Sequence, residues 1–215
     1  MHARWVSPSM PTRVIAVATI LAACSTAPTK TSEAAPAPVA PAPAKVDEAR
    51  VAVAAMIGTT PPAWKAERWM NSPPLELAAL RGSVVLVRWW TAGCPFCSST
   101  APTLRKLDQL YSARGLHVIG MYHHKEDTPF EPKVYEETAK KYGFTFPVAF
   151  DPEWHTLESW LHDREGKEVS TGFTSVTFVL DKKGVIRHVH PGGTLAEGEP
   201  AYDEMRSAIE RLLAE

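Results

Sequence analysis

The sequence predicts an α/β domain in which helices flank a mixed central sheet, and three observations support this fold class. From residue 84 onwards, short β-branched and aromatic runs alternate with amphipathic segments, which is typical of a layered α/β domain. The turn signal Asp-Lys-Lys-Gly at residues 181–184 separates two further apolar runs and predicts an antiparallel hairpin. Apolar residues recur at helical spacing in Pro200–Leu213, so we expect a closing helix.

The individual elements follow from these patterns in chain order. Val84–Trp90 has the sequence VVLVRWW and lies between two glycines, which is typical of a buried strand. The other predicted strands are Leu116–Tyr122, Phe146–Phe150, Val176–Leu180 and Val185–Val189. The predicted helices are Ser98–Ala113, Glu131–Tyr142, Trp154–Leu161 and Pro200–Leu213.

The first 23 residues predict a signal peptide. Two arginines and no acidic residue precede the apolar run Val14–Ala23, which has about the length of a signal-peptide core. The run ends in Leu21-Ala22-Ala23-Cys24, which resembles the bacterial lipobox, in which the cysteine becomes the lipidated first residue of the mature protein. We therefore expect a lipid anchor on Cys24, with ordinary cleavage nearby as the alternative. The run is shorter than the roughly 20 apolar residues that cross a bilayer.

An Ala- and Pro-rich stretch follows the lipobox. Residues 24–50 have little to bury and contain Pro-Ala-Pro repeats, which favour extended polyproline II, so we expect a disordered linker there. Residues 51–63 are expected to form a short helix or more linker, and residues 64–215 the compact domain. A lipid-anchored linker predicts an extracytoplasmic (periplasmic) protein. Ser25 stands in place of the aspartate that retains such proteins at the inner membrane of enteric bacteria, which favours the outer membrane.

The charge and the cysteine content exclude some functions and favour others. A formal net charge of -1 over 215 residues offers no basic face that would neutralise the phosphates of a nucleic acid. The chain has three cysteines, Cys24, Cys94 and Cys97. A small domain held together by disulfides would have more cysteines spread along its length, so the Cys-x-x-Cys pair predicts chemistry rather than architecture.

Cys94 and Cys97 lie where the strand Val84–Trp90 is predicted to turn into a helix. At a helix start, unpaired N–H groups and the positive end of the helix dipole favour a thiolate over a thiol. The thiolate is the attacking species in disulfide exchange, and Cys97 is near enough in sequence to close an intramolecular disulfide. Pro95 suits the first helical turn because an N–H group there would lack a partner.

The segment Val84–Leu104, VVLVRWWTAGCPFCSSTAPTL, resembles the active-site segment of thioredoxin-fold proteins. It is most similar to the TlpA/ResA-type thiol-disulfide oxidoreductases and to the redoxin (AhpC/TSA-like) proteins, and Phe144–Asp151 and Thr177–Gly184 fit the same pattern. The resemblance implies a thioredoxin fold and an enzyme with Cys94 as nucleophile and Cys97 as resolving cysteine. It implies no cofactor, protein disulfides or dithiols as substrates, and a membrane electron donor or acceptor as partner.

The resemblance also implies which residues surround the dithiol. The expected neighbours are Arg88, Trp90, Thr91, Pro95 and Phe96. Thr174, Ser175 and Val176 correspond to the loop that pairs through its backbone with the substrate chain. The Pro95-Phe96 dipeptide differs from the Gly-Pro of reducing thioredoxins and favours a less reducing couple.

Three positions depart from the family pattern. Arg88 stands where thioredoxin holds a buried acid, and it either stabilises a thiolate by its charge or extends to the surface. Thr100 replaces an active-site glutamate of the ResA-type proteins. Ser175 stands where family members usually have a cis-proline. Because a cis bond before a residue other than proline costs about 2.5–4 kcal/mol, we expect a trans or strained bond there.

Two other functions are consistent with the sequence. Thr91 and Cys94 have the spacing of the threonine and peroxidatic cysteine of peroxiredoxins, although Val87 stands where a proline is expected. A redoxin-type peroxidase is therefore one alternative, and a copper chaperone or sensor that binds through the cysteines and a histidine is the other. The candidate copper ligands are His123 and His124, whereas His188 and His190, which share a face of a strand, are candidates for a zinc site with the two cysteines. A single Cys-x-x-Cys at a helix start favours redox chemistry, so we expect no metal; the direction of electron flow stays open.

Overall fold

The computed structural model describes residues 43–215, and their fold confirms the predicted mixed sheet flanked by helices. The strands are β1 (Arg68–Met70), β2 (Val84–Trp90), β3 (Leu116–Tyr122), β4 (Val148–Phe150), β5 (Thr177–Leu180) and β6 (Ile186–His190). The helices are α1 (Pro43–Ala54), α2 (Pro95–Tyr111), α3 (Pro132–Lys141), α4 (His155–Trp160) and α5 (Pro200–Ala214). Short 3-10 helices lie at Leu77–Leu80 and Ser112–Arg114.

The sheet has the strand order β1-β4-β3-β2-β5-β6. Strands β2, β3 and β4 are parallel, whereas β1, β5 and β6 join antiparallel, and the predicted hairpin is the β5–β6 pair. Trp90 and Tyr122 are partners at the carboxyl ends of β2 and β3. The segments that follow these two strands therefore leave the sheet side by side, at the edge where open α/β sheets commonly bind ligands.

Both faces of the sheet are covered, because every residue of β2 is buried. Leu86 and Trp90 point into a core that is completed by α2, α3 and α5. Val87 and Trp89 point to the opposite face, where Met56 and the side chains of α4 pack. A continuous apolar strand of this kind is typical of the centre of a parallel sheet. Its burial on both faces fixes the position at which the chain leaves the sheet after Trp90.

The packed chain begins earlier than predicted. Helix α1 begins at Pro43, inside the segment 24–50 that was expected to be disordered. Val53 and Met56 are buried against the same sheet face as Trp89, so the predicted domain start at residue 64 is too late. The reason is that α4 has only six residues, and apolar side chains before residue 64 supply further cover for that face.

Two smaller differences concern element ends. Strand β1 was not predicted, because three half-exposed residues give no recognisable periodicity. Helix α2 begins at Pro95 rather than Ser98, because Cys94 acts as its N-cap. The predicted signal peptide, the lipidation site Cys24 and the linker up to residue 42 lie outside the described residues. None of the helices in the described part of the chain is long and apolar enough to cross a membrane.

Candidate active site

The two cysteines lie at the junction of β2 and α2. Cys94 is the N-cap of α2, with φ -86° and ψ 113°, an extended conformation in which the chain turns from strand to helix. Its Sγ accepts a hydrogen bond from the N–H of Cys97 at 3.1 Å, and Pro95 occupies the start of the helix, as predicted. Cys94 is therefore held where the helix presents its unpaired N–H groups.

Cys94 and Cys97 form a disulfide, and they differ in accessibility. Their Cα atoms are 5.2 Å apart. Cys97 is 2% exposed and lies on the face of α2 that packs into the core, whereas Cys94 is only partly buried. A reactant from solution therefore reaches Cys94 directly and Cys97 only by way of Cys94.

Cys94 opens into a cleft of about 360 Å³ between the start of α2 and the segment 172–175. Phe96 and Phe173 give this cleft apolar surface, and Lys125 contributes a positive charge. Of the residues predicted from the sequence, those that line the cleft with Cys94 are Thr91, Pro95, Phe96, Thr174 and Ser175. Cys97, Arg88, Trp90 and Val176 are buried and do not line it.

The predicted docking loop is divided between the cleft and the core. Thr174 and Ser175 line the cleft, whereas the side chain of Val176 is fully buried on the Trp89 face of the sheet. The carbonyl of Val176 accepts the N–H of Trp89 at 3.0 Å, so Val176 anchors the loop to β2. The bond before Ser175 is trans, as are all the other peptide bonds of residues 43–215, in line with the expectation.

Trp90 packs in the core next to the turn that carries Cys94. It is buried, and its ring makes edge contacts with the rings of Tyr122, Tyr142 and Phe144, with centroids 5.1–5.7 Å apart. The hydroxyl of Tyr142 also donates to the carbonyl of Ala92 at 3.0 Å, in the turn that carries Cys94. This aromatic cluster therefore fixes the end of β2 and one side of the turn.

Glu126, which the sequence analysis missed, holds the other side of that turn. Its Oε1 accepts hydrogen bonds from the hydroxyl of Thr91 at 2.7 Å and from the N–H groups of Ala92 and Gly93 at 3.1 and 3.3 Å. Its Oε2 accepts from the hydroxyl of Tyr122 at 3.0 Å. The carboxylate therefore binds the three residues that connect Trp90 to Cys94.

Glu126 is a fixed anion rather than a proton donor. Its partial burial by itself would raise the pKa, but hydrogen bonds from Thr91, the adjoining backbone and Tyr122 outweigh burial and lower the pKa to about 2. One sequence signal could have found this residue: Glu126 follows β3 closely, and parallel neighbouring strands end at the same edge of the sheet.

Arg88 is buried beneath this site. It is 1% exposed, so the alternative in which it extends to the surface is wrong. Its Nη1 donates to the hydroxyl of Thr177 at 3.0 Å and its Nη2 to the carbonyl of Gly193 at 2.9 Å. Burial lowers the pKa of the guanidinium to about 9, which leaves it charged at neutral pH; whether it stabilises a thiolate stays a prediction.

Comparisons with known proteins identify the family of this chain. A sequence profile of the Redoxin family matches residues 56–205. The chain belongs to the redoxin family. Over 161 residues this redoxin is 29% identical to protein DipZ of Mycobacterium tuberculosis, a match that covers 73% of the chain but only 21% of DipZ. Over 147 residues it is 21% identical to thiol-disulfide oxidoreductase YkuV of Bacillus subtilis, covering 68% of the chain and 88% of YkuV.

A solved structure confirms the thioredoxin-like fold of the redoxin. A thiol:disulfide interchange protein of the thioredoxin family from Chlorobium tepidum superposes with a TM-score of 0.53 at 18% identity. The match covers 73% of this chain and 97% of the other. The resemblance to redoxins and thiol-disulfide oxidoreductases is therefore confirmed in both sequence and fold.

Two of the candidate histidines, His123 and His124, contact neighbouring aromatic residues in the redoxin. His123 is fully buried, and its ring meets the edge of Trp154 at 4.6 Å between centroids. Burial lowers its pKa to about 3, so it is neutral at pH 7. His124 bonds through Nδ1 to the hydroxyl of Tyr122 at 2.9 Å. Within residues 43–215, no group of three or more His, Cys, Asp or Glu side chains is placed to hold a metal ion.

Proposed function

We propose that this redoxin is a membrane-tethered thiol-disulfide oxidoreductase that uses Cys94 and Cys97 to reduce or oxidise disulfides of extracytoplasmic proteins. The observation that supports the proposal most directly is the unequal placement of the pair, with Cys94 at a helix start beside a cleft and Cys97 buried behind it. The name of the relative YkuV, which the chain matches over 88% of its length, describes the same activity.

The reducing direction takes two exchange steps. The thiolate of Cys94 attacks one sulfur of a substrate disulfide, a bond from Cys94 to the substrate forms, and the other substrate sulfur leaves as a thiolate that takes up a proton. Cys97 then loses its proton and attacks the Sγ of Cys94, which releases the second substrate thiolate. Two electrons have passed from the protein to the substrate, and the Cys94–Cys97 disulfide is the product. The same steps in reverse oxidise a substrate dithiol.

The surrounding residues serve this chemistry by position. The start of α2 presents N–H groups to Cys94, which favours the thiolate that attacks. Glu126 and Tyr142 bond to opposite sides of the turn before Cys94 and hold it at the mouth of the cleft. The exchange itself requires no cofactor, and the electrons come from, or pass to, a partner protein at the membrane.

Trapping of a mixed disulfide tests the proposal. In the Cys97→Ser variant the resolving thiol is gone, so a disulfide-bonded polypeptide such as insulin should remain attached to Cys94. The matched Cys94→Ser variant should attach none, because the buried Cys97 has no direct access to the polypeptide. Equal trapping by both variants, or by neither, would contradict the assigned roles.

Membrane tethering through Cys24 is part of the proposal and rests on the lipobox resemblance. The Cys24→Ala variant should appear in the soluble fraction of cells, whereas the natural chain should stay with the membrane fraction. Persistence of the variant in the membrane fraction would contradict the lipid anchor.

No contact among residues 43–215 favours either alternative function. The hydroxyl of Thr91 is engaged by Glu126 at 2.7 Å, which adds nothing to the peroxidase hypothesis. Peroxide consumption that depends on Cys94 would support that hypothesis. Copper that stays bound after purification and is lost in His123 or His124 variants would support a copper chaperone.

A further inference from the structure

Residues 192–195 form a short segment that follows β6. They lie behind the wall of the cleft that contains Ser175 and bond to it. The carbonyl of Gly193 accepts a hydrogen bond from Arg88 Nη2 at 2.9 Å. The N–H of the same glycine donates to the hydroxyl of Ser175 at 3.2 Å. One peptide segment therefore connects the buried guanidinium to a residue of the cleft wall.

The same segment is also attached to the helix that carries the cysteines. The N–H of Leu195 donates to the hydroxyl of Thr100 at 3.1 Å. Thr100 is fully buried and lies about one turn after Cys97 in α2. Residues 192–195 thus bond to β2, to the docking loop and to α2, which are the parts of the chain that surround the dithiol. The three positions that depart from the family pattern all bond to this segment: Arg88, Thr100 and Ser175.

Arg88 is the member of this hydrogen-bond network that lies within the central sheet. It lies in the middle of β2 directly opposite Thr177 of β5, to whose hydroxyl it donates at 3.0 Å. No carboxylate among the described residues forms an ion pair with it. A buried charge without an ion-pair partner is costly for stability, so its presence calls for a role other than packing.

The segment and the docking loop are also in direct contact. Gly192 has φ +131°, and a Cβ at this position would overlap the side chain of Phe173, which lines the cleft. The backbone of Gly192 therefore lies against Phe173, directly before the docking loop, more closely than any side chain at this position would allow, and near the hydroxyl of Ser175. A shift of the segment would be passed to residues 173–175.

We propose that Arg88 is a positioning residue for substrate docking: its guanidinium holds Gly193, and Gly193 holds Ser175 at the wall of the cleft. A serine leaves the backbone freer than a proline would, and the hydrogen bonds through Gly193 restrain it. The proposal rests on the proposed function, because it concerns how a polypeptide substrate is presented to Cys94.

A pair of matched substrates tests this role with the full-length reduced protein. The first is Ellman's disulfide, which reacts at Cys94 and has no peptide backbone that could pair with the docking loop. The second is a cysteine peptide carrying a thionitrobenzoate mixed disulfide, which must also lie along the loop. In both reactions the Cys94 thiolate attacks sulfur, the S–S bond breaks, and thionitrobenzoate leaves and is measured by its absorbance, so both proceed whichever direction the protein serves.

The Arg88→Met variant should slow the reaction with the peptide about tenfold, the usual effect of losing a hydrogen bond from a charged donor. Its reaction with Ellman's disulfide should fall by less, because any stabilisation of the Cys94 thiolate by the Arg88 charge acts on both substrates, whereas the loss of docking acts on the peptide alone. Ser175→Ala breaks the same connection without altering the buried charge and should give the same selective loss. The double variant should be no slower than either single variant, because both remove one linked interaction. Arg187→Met is the matched control: Arg187 lies on the edge strand β6 and pairs with Asp181, so both rates should stay unchanged.

An Arg88→Met or Ser175→Ala variant that loses both reactions equally, or a double variant whose losses multiply, would overturn this proposal alone. Failure of the natural reduced chain to react with either substrate would instead overturn the proposed function. If Arg88→Met does not fold, the Ser175→Ala variant decides the matter by the same comparison of the two substrates.

Discussion

At the level of single residues, the turn before Cys94 depends on one carboxylate from the segment after β3. Glu126 follows β3, yet it accepts hydrogen bonds from Thr91, Ala92 and Gly93. Hydrogen bonds to an ionised acceptor are stronger than neutral ones. The position of Cys94 is therefore coupled to an acid about thirty residues away in the chain.

The Glu126→Gln variant should be less stable than the natural chain at neutral pH, by about 1–3 kcal/mol in the free energy of unfolding. The folded pKa of Glu126 is lowered to about 2 from an ordinary value of 4.5. Its contribution is therefore complete above pH 4.5 and is lost as the pH falls towards 2. Urea unfolding at several pH values should show the difference between the two chains shrinking over that interval.

Other groups that titrate in acid act on both chains alike, except that Glu126→Gln also alters the 3.1 Å contact between Glu126 Oε2 and His124 Nδ1. His123 and His190 are held neutral by burial, with pKa values lowered to about 3, so both chains lose stability as the unfolded histidines protonate below their ordinary value. The difference between the two chains therefore reports on the Glu126 carboxylate together with its contact to His124. The exposed Glu165 gives a control, since Glu165→Gln should change stability little. A difference for Glu126→Gln that did not vary with pH would contradict the ionic role.

At the level of elements, the segment after β6 has to pass very close to the docking loop. Gly192 and Gly193 have φ +131° and +80°, but only Gly192 would place a Cβ against Phe173, whereas a Cβ at Gly193 would meet open space. Gly192→Ala should therefore displace the cleft wall and slow the peptide reaction, by about tenfold or more. Gly193→Ala should lower the melting temperature through backbone strain alone and leave the peptide reaction less affected. Equal effects of both variants on the peptide reaction would show that the close contact is unimportant.

Helix α1 is an element of the fold rather than a part of the linker. Val53 is 3% exposed and packs on the sheet face of Trp89, whereas Val51 in the same helix is 76% exposed. Val53→Ala should lower the free energy of unfolding by about 1–3 kcal/mol, and Val51→Ala should change it by less than about 0.5 kcal/mol. Denaturant unfolding of the two variants measures this, and equal small effects would mean that the domain is stable without α1.

How far each element could be predicted depended on where its information lies in the chain. Strand β2 was predicted with its bounds, because a continuous apolar run between glycines needs no partner to be recognised. Strand β1 and the start of α1 were not, because a three-residue strand exists only through its pairing with β4, and α1 only through the face it covers. The end of α2 at Tyr111 came within two residues of the prediction.

At the level of the whole molecule, the fold brings together residues that are distant in sequence. Cys94 and Cys97 were predicted, because strand, Cys-x-x-Cys and helix are continuous. Glu126, Gly193 and the buried state of Arg88 were not, because each depends on which strands are neighbours, and the order β3-β2-β5-β6 is set by packing rather than by local pattern. The part of the site that is continuous in sequence was therefore predictable. The residues that hold it in place through contacts between strands were not.

The central claim is that Cys94 and Cys97 form a working redox couple, and equilibrium titration of the full-length protein in glutathione or dithiothreitol buffers tests it most directly. One two-electron transition is expected, and it should disappear in Cys94→Ser. Its midpoint should be less reducing than the value of about -270 mV for thioredoxin, because Pro95-Phe96 lies between the cysteines, and a midpoint near about -120 mV would indicate an oxidant. The absence of any transition in the natural chain would contradict a redox role for Cys94 and Cys97.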